Sequence, residues 1–160
     1  MRRIFAMVVA ATVATGAAAN ETLTIEQART IIAPLYDALN QPATKDVDAL
    51  LRKATTDDWM TCSAEGICLT REKLVGAFKA RGETIPDLKW EIRDIMISGN
   101  QVIVRGEASG TPAKDFMGVA ATGKSFKIMS IDIQTIRGGK IAHSYHIEDW
   151  AGAVRQLTGH

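Results

Sequence analysis

The residue best suited to chemistry in this chain is Asp149, which lies between a strand-like segment and a short helical one, Trp150–Leu157. A carboxylate inside an apolar pocket has a raised pKa and can serve as a general base or acid. The same position also suits a helix N-cap, in which a carboxylate oxygen accepts a backbone N–H. The residues alone favour the cap, although the two roles are compatible because the second carboxylate oxygen stays available.

Asp149 continues a predicted β-hairpin whose turn is Gly138-Gly139, a pair that supplies the positive φ angles of a two-residue turn. Counting outward from the turn places Gln134 opposite His143. It also places Asp132 opposite Tyr145. Since alternate strand residues share a face, one face is predicted to carry Ser130, Asp132, Gln134, His143, Tyr145 and Asp149. A change of register by one residue would exchange this set for the opposite face.

This arrangement predicts proton transfer next to a carbonyl group. Asp149 would move the proton, and His143 or Tyr145 would stabilise the resulting enolate. The candidates for binding the substrate are Asp132, Gln134, Arg105 and Trp59. Structural alternatives stay open: a cross-strand hydrogen bond for Asp132, a solvent-facing charge for Arg105 and core packing for Trp59. The sequence has no nucleophile–base motif and no metal-ligand cluster, so neither a metal nor a cofactor is expected.

A second motif, GVAATGKS at 118–125, matches the phosphate-binding loop pattern letter for letter. Such a loop requires a buried strand before it and a helix N-terminus after it. The preceding residues include Pro112, Lys114 and Asp115, which make a poor core strand, and the following residues alternate as a strand does. We therefore expect no nucleotide site here.

The N-terminal segment has the pattern of a secretory signal peptide. Arg2 and Arg3 precede an uncharged run, 4–19, that ends in three alanines. This run is shorter than the roughly 20 apolar residues that span a bilayer, which disfavours the alternative of an uncleaved anchor. Cleavage is predicted after Ala19, leaving one domain of residues 20–160 in the periplasm or outside the cell.

The charge of the chain limits its partners. Loss of two arginines takes the formal net charge from +1 to about −1. A nearly neutral chain offers no basic surface for nucleic acid, and no second apolar run is long enough to cross a membrane. The expected partner is a small molecule or a second copy of the chain.

Cys62 and Cys68 lie in a polar segment, TCSAEGICLT, that is predicted to connect two elements. An oxidising compartment permits a disulfide between them. The alternatives are a reactive thiol and a metal site, although two sulfurs at this spacing lack the other two ligands of a structural zinc site. The disulfide is the favoured prediction.

Helices are predicted before strands along the chain. The first helix begins at Thr24, which can form a capping box with Gln27. Two further helices are predicted at about 46–54 and 70–82, and a last one at 150–157. Strands are predicted at 88–97, 101–109, 126–137 and 140–147. This order indicates the α+β class, with helices on one face of an antiparallel sheet.

Five segments carry a family resemblance. They are IPDLKWEIRDI from Ile85, VIVRGEASGT from Val102, F-x-G-x-x-ATGK from Phe116, IDIQTIRGGKI from Ile131 and DWAGAVRQLTG from Asp149. Together they resemble the SnoaL-like polyketide cyclases, also called ester cyclases, of the nuclear-transport-factor-two-like superfamily. The resemblance implies a cone-shaped α+β barrel, in which a strongly curved antiparallel sheet surrounds a pocket and N-terminal helices cover it. It also implies frequent homodimers.

In cyclases of that family, an aspartate near the C-terminus moves protons during an intramolecular aldol closure, without metal or cofactor. By position Asp149 is similar to that residue, and Tyr145 is similar to the pocket-facing aromatic four residues earlier. His143 stands where the family usually has an acid, and Pro112 where it often has a histidine. The family's catalytic histidine on the preceding strand has no match in 126–137.

The resemblance and the export signal together imply an exported, cofactor-independent enzyme that acts on a small, mainly apolar carbonyl compound. Its reaction would be an aldol cyclisation or a proton transfer next to the carbonyl. Two alternatives stay open. One is a periplasmic protein that binds a small hydrophobic ligand without chemistry, and the other is a structural dimer with a filled interior.

Overall fold

The computed structural model describes residues 23–159, and the structural statements that follow concern this part of the chain. The predicted signal peptide, 1–19, lies outside the described residues. No helix within 23–159 is both long and apolar enough to cross a membrane.

The helices begin and end close to their predicted positions. Helix α1 is Ile25–Leu39, α2 is Val47–Ala54, α3 is Arg71–Thr84 and α4 is Trp150–Thr158, and a short 3₁₀ helix, Pro42–Thr44, precedes α2. The predicted capping box is formed, because the Gln27 N–H donates to Thr24 Oγ1 (3.2 Å) and the Thr24 N–H donates to Gln27 Oε1 (2.8 Å). Side chains buried on one face of α1 are Ala28, Ile32, Leu35, Tyr36 and Ala38.

Six strands form one sheet: β1 Thr55–Ala64, β2 Ile67–Thr70, β3 Lys89–Ser98, β4 Gln101–Gly110, β5 Phe126–Arg137 and β6 Lys140–Glu148. Their spatial order is β2-β1-β6-β5-β4-β3. Neighbouring strands are antiparallel except β1 and β6, which run parallel. The α+β class and the curved sheet covered by helices are therefore confirmed, with one parallel pair that was not predicted.

Strands β1 and β2 correct the prediction that residues 61–70 are a connector. They form a hairpin in which Cys62 pairs with Cys68, and the two residues are joined by a disulfide with their Cα atoms 4.0 Å apart. The predicted disulfide is thus present. The strand was missed because only Thr55, Trp59, Thr61 and Cys62 of β1 are buried, and two of these are polar.

The hairpin of β5 and β6 has the predicted turn but a different register. The turn Gly138-Gly139 has φ angles of 58° and 73°, as a two-residue hairpin turn requires. Beyond the turn, β6 contains a β-bulge in which Ala142 is one residue more than the pairing needs. Asp132 therefore pairs with His146 and not with Tyr145.

The bulge exchanges the two faces of β6. The concave, covered face of the hairpin carries Ser130, Asp132, Gln134, Ser144, His146 and Glu148. The convex face carries Met129, Ile131, Ile133, His143, Tyr145 and Ile147. The prediction that His143 and Tyr145 share a face with Asp132 is wrong, because one additional residue inverts the alternation of every position after it.

Candidate active site

A cavity of about 210 Å³ lies between the concave face of the sheet, α3 and the β1–β2 hairpin. A deeper recess of about 50 Å³ adjoins it and shares several of its lining residues. The walls are mainly apolar, and the polar or ionisable residues among them are Thr61, Ser63, Arg81, Asp132, Gln134, Ser144, His146 and Glu148. An apolar chamber with a few convergent polar groups is the usual form of a small-molecule site.

Asp132 is the more deeply buried of the two acids that line the recess, the other being Glu148. Its carboxylate is buried and accepts a hydrogen bond from the Tyr36 hydroxyl of α1 at 2.8 Å. The pKa of Asp132 is raised to about 6, chiefly by burial and also by the charge of Glu148, while the Tyr36 hydrogen bond and His146 act in the opposite direction. A carboxylate with such a pKa can both accept and return a proton near neutral pH.

Tyr36 is suited to this support role. Burial, and then the charge and hydrogen bond of Asp132, raise the pKa of the Tyr36 phenol well above its ordinary value. The phenol therefore stays protonated and acts as a donor to Asp132. Because Tyr36 lies in α1, the helix that covers the sheet also sets the orientation of the acid on β5.

His146 and Glu148 follow Asp132 around the wall of the cavity. His146 Nδ1 lies 2.9 Å from Thr61 Oγ1, and its Nε2 lies 3.7 Å from Glu148 Oε2. Burial lowers the pKa of His146, against the attraction of Asp132. Burial raises the pKa of Glu148, against the charge of Arg81. The site therefore favours a neutral imidazole and a carboxyl group that protonates more readily than an exposed one.

A hydrogen-bonded chain forms the floor of the recess. Trp59 Nε1 donates to Ser144 Oγ at 2.8 Å, and the Ser144 hydroxyl donates to Gln134 Oε1. All three side chains are buried. A buried network whose members are satisfied in this way holds its side chains in fixed positions.

Trp90 contributes a donor that has no acceptor. Its side chain lines both the cavity and the recess, and its Nε1 is buried without a hydrogen-bond partner in the described chain. Asn40 holds the residue in place by accepting the Trp90 N–H (2.7 Å) and donating to the Trp90 carbonyl (3.2 Å). A buried indole N–H normally finds an acceptor, and this one lies in the wall of the chamber without one.

Three of the predicted site residues do line this chamber. Asp132, Gln134 and Trp59 all face the recess. Arg105 does not, because it lies on the convex face of β4 and donates from Nε to Asp94 Oδ2 at 2.6 Å. For Arg105 the alternative of a solvent-facing charge describes the structure.

Asp149 lies at the end of β6 as the N-cap of α4. Its Oδ1 accepts the Gly152 N–H at 2.8 Å, and its side chain is 52% exposed with Arg155 at 3.6 Å. It lines neither the cavity nor the recess. The capping alternative is therefore what the structure shows, and the expectation that Asp149 faces the chamber is wrong.

His143 and Tyr145, the proposed partners of Asp149, are also outside the chamber. They stack edge to face on the convex side with ring centroids 4.7 Å apart, and Tyr145 is 46% exposed. Two residues with stronger geometry, Tyr36 and His146, were not chosen as site residues. The sequence contains a pattern that indicates Tyr36: it follows Ile32 by four residues, the spacing that places both side chains on the inward face of α1.

The phosphate-loop motif, 118–125, lies in the connection between β4 and β5 and runs directly into a strand. The helix N-terminus that such a motif needs does not follow it. Among residues 23–159, no group of three or more His, Cys, Asp or Glu side chains is arranged to hold a metal ion.

A fold of this kind, with an acid at the base of an apolar chamber, defines a cone-shaped α+β protein with a small-molecule site. The family model of the SnoaL-like polyketide cyclases matches residues 30–157, and the chain belongs to that family. Comparison with the curated proteins gives no match.

Solved structures agree on the fold. IdmH from Streptomyces antibioticus, a candidate polyketide cyclase, is 29% identical, with a TM-score of 0.70 over 81% of this chain and 96% of its own. TsrD from Streptomyces laurentii is 22% identical, with a TM-score of 0.71 over 84% and 97% of the two chains. AclR from Streptomyces galilaeus, a candidate hydroxylase, is 19% identical, with a TM-score of 0.71 over 86% and 99%. The last two similarities show the fold alone.

Proposed function

We propose that this protein is a cyclase- or isomerase-type enzyme that moves a proton next to the carbonyl group of a small, mainly apolar compound. The observation that carries the proposal is the buried carboxylate of Asp132, whose pKa is raised to about 6 at the base of an apolar recess. Asp132 replaces Asp149 as the acid–base residue, because Asp149 is half exposed and occupied as a helix cap.

The proposed step begins with a carbonyl compound in the chamber. Asp132 takes a proton from the carbon next to the carbonyl, and the electron pair of that C–H bond moves to the carbonyl oxygen to form an enolate. The unpaired Trp90 Nε1–H is the donor for that oxygen. The enolate carbon then attacks a second carbonyl of the same molecule, whose oxygen takes up the proton held by Asp132, or Asp132 returns the proton to the enolate at a new carbon.

His146 is the second proton-transfer group. It pairs across the strands with Asp132, so the two side chains lie next to each other on the concave face. Thr61 fixes the ring through Nδ1. A histidine whose pKa is lowered is neutral at pH 7, so its ring can accept the proton from Asp132 and pass it to the product oxygen.

The matched variants Asp132→Asn and Asp149→Asn test this assignment. Wild-type protein in D₂O should catalyse exchange of the hydrogens next to the carbonyl of 2-tetralone, a bicyclic ketone probe, measured by mass spectrometry. Asp132→Asn should lose at least ~100-fold of that rate, since it removes the base, while Asp149→Asn should keep it within a few-fold.

Three other results would be informative. Full exchange activity in Asp132→Asn would refute the assignment, and a selective loss in Asp149→Asn would restore the residue expected from the family position. Binding of the probe without exchange, in wild type and Asp132→Asn alike, would favour the non-catalytic hydrophobic-ligand-binding protein.

The cavity volume of about 210 Å³ is below the roughly 300 Å³ at which drug-sized ligand sites begin, which suits a compact substrate.

Two further properties belong to the proposal. Export is supported by the leader pattern of 1–19 and by the disulfide Cys62–Cys68, which an oxidising compartment maintains. The mass of the exported protein should correspond to a chain that starts at Asn20, and a mass that includes the leader would contradict cleavage after Ala19.

A homodimer is supported by the exposed apolar residues of the convex face, which include Met129, Tyr145 and Ile147.

A further inference from the structure

Arg81 is an arginine inside the apolar chamber. It lies in the last turn of α3 and lines the cavity. Its guanidinium carbon lies 4.5 Å from the ring centroid of Trp150 and 5.8 Å from that of Phe116. Stacking on two aromatic rings holds the guanidinium plane in place and leaves its N–H edges available for hydrogen bonds.

The guanidinium group of Arg81 makes no hydrogen bond and no ion pair with any residue of 23–159. The buried Arg71 of the same helix shows the contrast, because it donates to Thr55 Oγ1 (3.3 Å) and to the Thr56 carbonyl (2.5 Å). Glu148 attracts Arg81 electrostatically but lies beyond the 4.0 Å of an ion pair. Arg81 therefore keeps a full set of donors, which a guanidinium half buried in an apolar wall normally uses.

A second unpaired donor lies in the same wall as Arg81. Trp90 Nε1 is also without an acceptor, and Trp90 packs edge to face on Trp150, the ring that carries Arg81, with centroids 6.5 Å apart. Of the acceptors in the chamber, one Asp132 oxygen accepts from Tyr36, the Gln134 oxygen accepts from Ser144, and Glu148 is not within ion-pair distance of Arg81. An occupant rich in acceptor oxygens would complete this wall.

We propose that Arg81 binds a carboxylate group of the substrate, so that the substrate is a small apolar oxo acid and not a neutral ketone. This inference rests on the proposed function for the position of the reacting carbonyl only. The guanidinium fork matches a carboxylate with two parallel hydrogen bonds. A carboxylate fixed at Arg81 would place the apolar body along Leu74 and Phe78 and direct the other end towards the recess.

A binding comparison tests this without a known substrate. The probes are 2-naphthoate and the isosteric neutral 2-naphthamide, with affinities measured by calorimetry on the full mature chain. Wild type should prefer the carboxylate by at least about tenfold, as loss of a charge-assisted pair implies. Arg81→Gln should abolish that preference while leaving naphthamide affinity within about twofold, and Arg81→Lys should keep part of it, because it retains charge without the fork.

The matched control is Arg155→Gln, which removes an exposed arginine that faces Asp149 and should leave the preference unchanged. Equal affinity of wild type for the two probes would overturn the proposal, as would a preference that survives in Arg81→Gln. If Arg81→Gln fails to fold, as judged by its melting temperature, Arg81→Lys decides: an unchanged preference would mean that the fork is not used. Asp132→Asn should keep the preference even if the proposed chemistry is wrong, so the two proposals fail separately.

Discussion

Asp132 is under two opposing influences, and their balance sets its chemistry. Burial favours the neutral carboxyl group, whereas the Tyr36 hydroxyl at 2.8 Å favours the ionised one. The resulting pKa of about 6 lies between that of an exposed aspartate and that of an unsupported buried one. Tyr36 therefore tunes the acidity of Asp132.

The variant Tyr36→Phe tests this tuning. Removing the hydrogen bond should raise the pKa of Asp132 above 6, by roughly one to two units if the bond is an ordinary charge-assisted one. The carboxyl carbon of Asp132, followed by ¹³C NMR during a pH titration, measures this directly. Tyr145→Phe, on the convex face, is the control and should leave the titration unchanged. An Asp132 titration that does not move in Tyr36→Phe would mean that burial alone sets the pKa.

The raised pKa also predicts how stability depends on pH. The folded protein binds the Asp132 proton more tightly than the unfolded chain, in which the pKa is near 3.8. The resulting stabilisation is complete below pH 3.8 and is lost as the pH rises through about 6. Relative to Asp132→Asn, wild type should lose at most about 3 kcal/mol of unfolding free energy across this window. Urea titrations at several pH values measure the difference, and parallel curves for the two proteins would contradict it.

The sequence revealed only part of this site. Asp132, Gln134 and Trp59 stand out by residue type alone, and all three line the recess. Asp149 stands out by its place between a strand and a helix and by its family position, and the structure shows its carboxylate capping α4. Arg81 gave no signal, because its value comes from stacking on Trp150, which is distant in sequence and becomes a neighbour only in the folded chain.

At the level of elements, one residue decides which side chains reach the chamber. The turn Gly138-Gly139 and both strand limits were predictable from turn chemistry and alternation. The bulge at Ala142 was not, because neither an alanine nor its neighbours mark the extra residue. A bulge of this kind costs little locally but moves His146 from the convex to the concave face.

Strands β1 and β2 show a different failure of sequence reasoning. Their hairpin reads as polar, yet β1 occupies an interior position between β2 and β6. Thr55 and Thr61 are buried although they are polar, because the Thr55 hydroxyl bonds to the Leu51 carbonyl and the Thr61 hydroxyl bonds to His146 Nδ1. Alternation patterns detect strands by their apolar residues and therefore overlook one of this type.

The disulfide in that hairpin predicts a measurable stability effect. Closing the short loop between Cys62 and Cys68 should contribute about 2 kcal/mol to the unfolding free energy. Chemical denaturation with and without a reducing agent measures this for wild type. The double variant Cys62→Ala/Cys68→Ala is the control, since its stability should not respond to the reductant. Equal stability of reduced and oxidised wild type would show that the hairpin needs no covalent support.

Over the whole molecule, the two faces of the sheet differ in the residues they carry. Its concave side, under the helices, holds the chamber and the titratable groups. Its convex side exposes Met96, Met129, Tyr145 and Ile147, which are between 46% and 66% exposed. Ion pairs of Arg105 with Asp94 and of Arg93 with Glu107 lie on the same face, where Arg105 is next to Ile131 and Glu107 is next to Met129. Exposed apolar residues grouped on one face are typical of an interaction surface.

A homodimer through this convex face leads to the last prediction. An isologous interface uses the same patch twice, so one substitution acts at two symmetric positions. Ile147→Lys removes about 1.5–3 kcal/mol of apolar burial per copy and should raise the dimer dissociation constant at least ~100-fold, as measured by analytical ultracentrifugation. Ile25→Lys, on an exposed position of α1, is the matched control and should leave assembly unchanged. A monomeric wild type, or a dimer that survives Ile147→Lys, would contradict a homodimer through this face and would favour another partner for it. Neither result would bear on the chamber, because Met96, Met129, Tyr145 and Ile147 do not line it.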